Sequence, residues 1–180
     1  MLPKGSEFSR FGDAGLARAD KTSADILSAI YGSFVSTLHD DFENDAAKVN
    51  DEILKFGKSI GRRMADEVLS KFGLAATCTK FVDVCEAVTK LGLRLYFGAI
   101  TETVLCDSPN KFVFRLGQSN IAEFVDPADI TPTLYHNVIV GGVIGALVQL
   151  GWPVTGYIAE ETLQGGTYSI FCFEVLSDSK

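Results

Sequence analysis

Histidine is nearly missing from this chain. Its 180 residues hold only His39 and His136, which leaves few nitrogen ligands for a structural metal site. Cysteine is sparse as well. Cys78, Cys85, Cys106 and Cys172 form no C-x-x-C pair, which argues against a zinc ribbon or a thioredoxin-like redox motif. Positive charge is in deficit, with 16 Lys and Arg against 23 Asp and Glu for a net charge of −7. A nucleic-acid binder needs cationic surface to displace counterions from phosphates, so nucleic acid is not an expected partner. The densest basic cluster, Lys55, Lys58, Arg62, Arg63 and Lys71, is interleaved with Asp66 and Glu67, the pattern of a solvated helix face. The first 25 residues lack the apolar core of a secretory signal. With unpaired cysteines, that predicts a reducing compartment and free thiols.

Long apolar runs are missing too. Residues 131–159 carry no Asp, Glu, Lys or Arg, but the unbroken apolar core Val138–Val148 spans 11 residues. A membrane-spanning helix needs about 20. Gln149 interrupts the run, Pro153 ends it, and no Lys or Arg anchors flank it. The expectation is a buried central helix. No H-E-x-x-H, phosphate-binding loop or G-x-S-x-G motif exists. Gly141-Gly142-Val143-Ile144-Gly145 lacks the G-x-G start of a dinucleotide fingerprint and sits inside the apolar helix pattern. Its glycines point to tight helix packing. The acidic turn Asp40–Asp45 lacks calcium-loop spacing, leaving a capping and solvated role. His136 reads as a hydrogen-bonded helix-start residue and His39 as solvated. No catalytic residue, metal site or cofactor is assigned.

What the chain does have is apolar content, 47%, enough for one domain to fold without disulfides. Residues 1–22 are small, polar and unpatterned, so they read as a disordered tail. Met1–Phe8 includes Gly-Ser-Glu-Phe, which has the look of cloning residues. The single domain is placed at 23–177, with 178–180 as a short tail. Order begins at Ser23, a good N-cap. Leu27, Tyr31, Phe34, Val35, Leu38 and Phe42 recur at helical spacing. A second stripe runs from Val49 through Ile53, Phe56, Ile60 and Met64 to Phe72, with Gly57 and Gly61 on the same side. Glycine costs a helix about 1 kcal/mol relative to alanine, so two on one stripe predict that another backbone approaches closely. A third helix is expected over residues 79–97, with Phe81, Val84, Cys85, Val88, Leu91 and Leu95 on its apolar side and Gly92 beside them.

Residues 101–106 and 111–116 flank Asp107-Ser108-Pro109-Asn110 and read as a hairpin. Residues 154–163 and 168–176 flank Gly165-Gly166 and read as a second. The last run is largely apolar on both faces, predicting a strand covered on both sides. The fold class is therefore α+β, an antiparallel sheet of about four strands packed with about four helices.

Cys78 stands between two expected helices. A cysteine there can be a small packed hydrophobe, or a thiol whose thiolate is stabilised by the following helix N-terminus. Sequence leaves both open.

Several ordered motifs resemble the Bet-three subunits of the transport protein particle (TRAPP), a vesicle-tethering complex. They are Tyr31-Gly32, Asp41-Phe42-Glu43-Asn44-Asp45, and Ile60-Gly61-Arg62-Arg63-Met64-Ala65-Asp66, with Met64 where that family has leucine. They continue in Tyr135, Asn137, Gly141, Gly145, Ala146 and Leu147, then Glu161-Thr162-Leu163-Gln164-Gly165. The resemblance covers residues 25–176. It implies a palmitoyl thioester on Cys78, its chain held in a buried apolar tunnel lined by Phe81, Val88 and Gly92. It makes Tyr31, Gly32, Gly61, Arg63, Asn137, Gly141 and Gly145 structural family positions. It implies a non-catalytic subunit that pairs through helical faces with itself or a related subunit. It further implies a cytoplasmic protein, peripheral at the cis-Golgi and endoplasmic reticulum. The assembled particle would meet a vesicle coat and promote nucleotide exchange on a Rab-family GTPase through a composite site. The chain departs from that family in its uncharged central helix and in ending at Lys180, soon after the last strand. Two other classes are expected alternatives: a sensor domain for an apolar small molecule, and a thiol enzyme using Cys78.

Overall fold

Apolar residues spaced three and four apart build most of the helices, and their ends follow capping chemistry. The computed structural model describes residues 5–72, 80–117, 119–130 and 132–176. Helix α1 spans Gly5–Arg18, α2 Ala24–Asp41 and α3 Ala46–Phe72. Asp45 caps α3, its carboxylate accepting from the amides of Ala47 at 3.2 Å and Lys48 at 3.3 Å. Ser23 stands at the N-cap of α2 without a side-chain capping bond.

Helix α1 corrects the expectation of a tail over residues 1–22. Its polar sequence is marginal as an isolated helix. It forms because it docks: Phe8 is fully buried, and Asp13 pairs with Arg94 at 2.7 Å. Sequence-local reasoning misses such a helix because its stabilising partner lies about 80 residues away.

Helix α4 begins as Phe81–Glu86, continues as a π-helical segment Ala87–Leu93 and ends as Arg94–Phe97. Gly98, with φ 63°, terminates it, as expected of a left-handed C-cap. Strands β1 (Thr101–Val104) and β2 (Lys111–Leu116) follow. A short helix α5 (Pro127–Ile130) precedes α6 (Asn137–Gln149), and β3 (Val154–Glu160) and β4 (Ser169–Val175) close the fold. The sheet is antiparallel throughout, in the order β1-β2-β4-β3. The architecture is α+β, and both predicted hairpins and the buried central helix are present.

Phe112, Phe114, Leu116, Phe171 and Phe173 form the buried face of the sheet, with Phe114 stacked 4.7 Å from Phe171. The other face is open. Ile170 and Cys172 are only partly buried and Tyr157 is 61% exposed. The expectation that the last strand is covered on both sides is thus incorrect. Both its faces are apolar, but the helices pack on one side only.

Helix α6 runs alongside α3 in the same direction. Asn50 meets Leu134 and Asn137 at one end, and Asp66 meets Gln149 at the other. Between them, a Cβ added to Gly57, Gly61, Gly141 or Gly145 would overlap the backbone of the opposite helix. The close backbone approach predicted from Gly57 and Gly61 is this seam.

Candidate functional site

The other flank of α6 does not close. Helices α3, α4 and α6 enclose a cavity of about 110 Å³. Its wall is almost wholly apolar: Ile60, Met64 and Val68 from α3, Val84, Val88 and Leu93 from α4, and Val138, Val143 and Leu150 from α6 and its end. Gly92 and Gly142 also line it. At Gly92 no described atom lies within 4 Å of where a Cβ would stand. This glycine therefore leaves room for something, whereas those of the seam admit a backbone.

The π segment decides which side chains reach the wall. A uniform α-helix would carry the stripe Val84–Val88 onward to Leu91 and Leu95. A π turn holds more residues per turn, with i→i+5 bonding. The face drifts accordingly, and Gly92, Leu93, Tyr96 and Phe97 line the cavity instead. Leu91 is buried elsewhere in the fold. Thr89 supports the segment, its hydroxyl donating to the Cys85 carbonyl at 2.8 Å.

Trp152, the only tryptophan of the chain, closes one end of the wall. Phe81 packs behind it, with ring centroids 5.6 Å apart. Val88 and Gly92 thus stand on the cavity wall, and Phe81 lies against it through Trp152. Cys78 lies outside the described residues, just before the start of α4. Cys85 is described and fully buried. Desolvation by burial, aided by the neighbouring Glu86, pushes its thiol far above the ordinary value, so it is no nucleophile. On the cavity rim Tyr96 donates to Glu67 at 2.7 Å. Burial first, then that carboxylate, pushes its phenol upward.

Of the remaining family positions, Tyr31, Gly32 and Asn137 meet around the start of α6, whereas Gly61 also lines the cavity. The Tyr31 hydroxyl donates to the Tyr135 carbonyl at 2.6 Å. A Cβ at Gly32 would meet the Tyr135 hydroxyl at 3.6 Å, an ordinary contact. The Asn137 amide donates to the Asn50 carbonyl at 3.2 Å. Gly61, Gly141 and Gly145 belong to the seam, and Arg63 is exposed on α3.

A buried pair escapes sequence reading. His136, at the N-cap of α6, contacts a Glu161 oxygen through both its backbone amide and its ring Nδ1, each at 2.8 Å. Both side chains are inaccessible. The placement of His136 at a helix start agrees with the sequence expectation. Its partner lies 25 residues on, and no local spacing signals it. His39 differs from its expected solvated state: it is half-buried, with Nε2 3.0 Å from the Thr133 hydroxyl. Among the described residues no three His, Cys, Asp or Glu side chains converge as a metal site. No described helix is long and apolar enough to cross a membrane.

Comparison with known proteins agrees with this geometry. The chain is 33% identical to the transport protein particle subunit bet3 of Schizosaccharomyces pombe over 165 residues, covering 89% of this chain and 88% of that one. It is 27% identical to trafficking protein particle complex subunit 3 of Dictyostelium discoideum, covering 96% and 95%. Its structure superposes with a TM-score of 0.78 on a trafficking protein particle complex subunit 3 from Naegleria fowleri covalently bound to palmitic acid, at 25% identity over 86% of this chain and 95% of that one. The phenol-responsive sensory domain of the transcription activator PoxR shares the fold, with a TM-score of 0.65 at 14% identity over 95% and 92%. The family model for the transport protein particle (TRAPP) component matches residues 27–171, and the chain therefore belongs to that family as a component of the Bet3 type.

Proposed function

We propose that this protein is a non-catalytic core subunit of a vesicle-tethering particle, with a fatty acyl chain on Cys78 buried in the cavity between α3, α4 and α6. The observation that carries this reading is the apolar wall at Gly92, where a missing side chain leaves open space in a cavity that reaches Val84, one turn from the start of α4. The palmitate on the Naegleria relative supports it. Each methylene buried in such a wall contributes about 0.8 kcal/mol, so the chain would act as core and not as a membrane anchor. Tunnel-wall roles fall to Val88 and Gly92 directly and to Phe81 through Trp152.

Pairing with a second subunit, its own copy or a related one, uses the helical face of α2 and α3. Ile26 is 55% exposed, Ile30 64% and Phe56 40%, apolar side chains that a partner helix would cover. The assembled particle acts between endoplasmic reticulum and Golgi, peripheral to membranes. It promotes nucleotide exchange on a Rab-family GTPase through a site to which several subunits contribute.

The test is an intact mass of the purified chain before and after hydroxylamine. A hydroxylamine-labile, acyl-sized excess on Cys78 is the expected result. An unmodified Cys78 that also fails to take acyl from an acyl-coenzyme A donor overturns the acyl assignment. A second reading, an apolar small-molecule sensor, draws on the cavity's almost wholly apolar wall, since apolar cavities stay dry and take apolar ligands. It predicts a reversibly bound ligand and no thioester.

A further inference from the structure

A second cavity, of about 290 Å³, lies beside the first, between the end of α4, the end of β2 and the turn at Asn120. Three side chains, Leu93, Phe97 and Ile139, line both. They are all that the two walls have in common among the described residues. Leu93 and Ile139 are deeply buried, whereas Phe97 is only half-buried. Phe97 is also the last helical residue of α4, followed by Gly98 at φ 63°. Its carbonyl is held by the Asn120 side-chain amide at 3.1 Å, which fixes the backbone but not the ring. A half-buried ring at a helix end has more room to change rotamer than a core side chain. Leu93 and Ile139 are packed in the core, where a rotamer change must displace neighbours.

The first cavity alone is short, at about 110 Å³. It cannot accommodate a long saturated chain with Phe97 across its end. The second is the larger of the two and is apolar where they meet, with Glu102, Ser119, Asn120 and Tyr168 as its polar side chains. We propose that Leu93, Phe97 and Ile139 form a partition between two halves of one channel, and that Phe97 is the movable part which sets how long an acyl chain the protein accepts. This rests on the reading of the first cavity as an acyl site and adds to it a selectivity for chain length. Chains short enough for the first cavity ignore the partition. Longer chains turn Phe97 aside and thread into the second cavity.

The experiment uses saturated free fatty acids of eight to eighteen carbons as probes. They are titrated into the full chain carrying Cys78→Ser, so that no attached acyl group fills the site. Trp152 on the cavity wall reports binding by its emission. Phe97→Ala is expected to tighten the sixteen- and eighteen-carbon acids by roughly fivefold or more and leave the eight-carbon acid unchanged. Ala99→Phe, placed in the second cavity beyond the partition, is expected to weaken only the long acids, by roughly tenfold. It does not depend on Phe97→Ala folding. Equal changes at every chain length in both variants overturn the partition while leaving the acyl site standing. Failure of every acid to bind the Cys78→Ser chain, with Gly92→Leu no different from it, overturns the acyl site and the partition together.

Discussion

Helix α6 has a closed flank and an open one, and glycine makes both. Toward α3, Gly57, Gly61, Gly141 and Gly145 remove side chains so that two backbones touch. Toward α4, Gly92 removes a side chain and no described atom takes its place. The difference lies in what the neighbouring positions carry. In the seam, Gly57 and Gly61 face Gly141 and Gly142, and Gly145 faces the backbone of Lys58. Around Gly92 the opposing positions carry Ile60, Met64 and Val143, whose bulk holds the helices apart. A glycine thus has no fixed meaning for packing until its partner surface is known.

Four substitutions would break or sharpen this contrast. The largest effect is expected at the buried end of α6. Glu161→Ala leaves the buried amide and ring Nδ1 of His136 without their shared partner and should cost about 2–5 kcal/mol, read as a lowered urea midpoint. If instead the variant unfolds like the parent, the pair does not anchor the start of α6. Next, Gly61→Ala forces a methyl into the Gly142 carbonyl and should destabilise by about 1–3 kcal/mol. A variant of unchanged thermal midpoint would mean that the seam can open freely. Asn50→Ala removes the side-chain carbonyl that accepts from the Leu134 amide but keeps the backbone carbonyl that accepts from Asn137, and the expected loss is about 1 kcal/mol. The smallest change has the opposite sign. Gly92→Ala meets open space within a helix and should stabilise by about 0.5–1 kcal/mol. Destabilisation there, seen by calorimetry, would show that the open flank is no more spacious than the closed one.

Much of this architecture could be read from residue spacing. The stripes of α2 and α3, the two hairpins and the charge-free α6 follow from periods of 3.6 and 2 with glycine and proline punctuation. The pairing of Gly57 and Gly61 with another backbone was legible because helix-interior glycine is costly and needs a reason. The cavity was harder. Val84 and Val88 lie on the stripe, but a π segment shifts the wall to Leu93, Tyr96 and Phe97, and nothing in Ala87–Leu93 announces a π turn. Trp152 and Met64 were missed because lining a void is a relation among three helices. Helix α1 was missed because its stability comes from Phe8 docking on a distant element.

Local patterning was sufficient for α2, α3, α6, both hairpins, their order and the α+β class, since hydrogen-bonded turns and amphipathic faces depend on residues a few positions apart. The family motifs were likewise legible as ordered spacing along the chain. Whether a glycine closes a seam or opens a cavity, whether an apolar strand face is covered, and which carboxylate meets His136 depend on surfaces 25 to 100 residues apart. Those choices are made when the core packs, because burial energy belongs to pairs of surfaces and not to single segments.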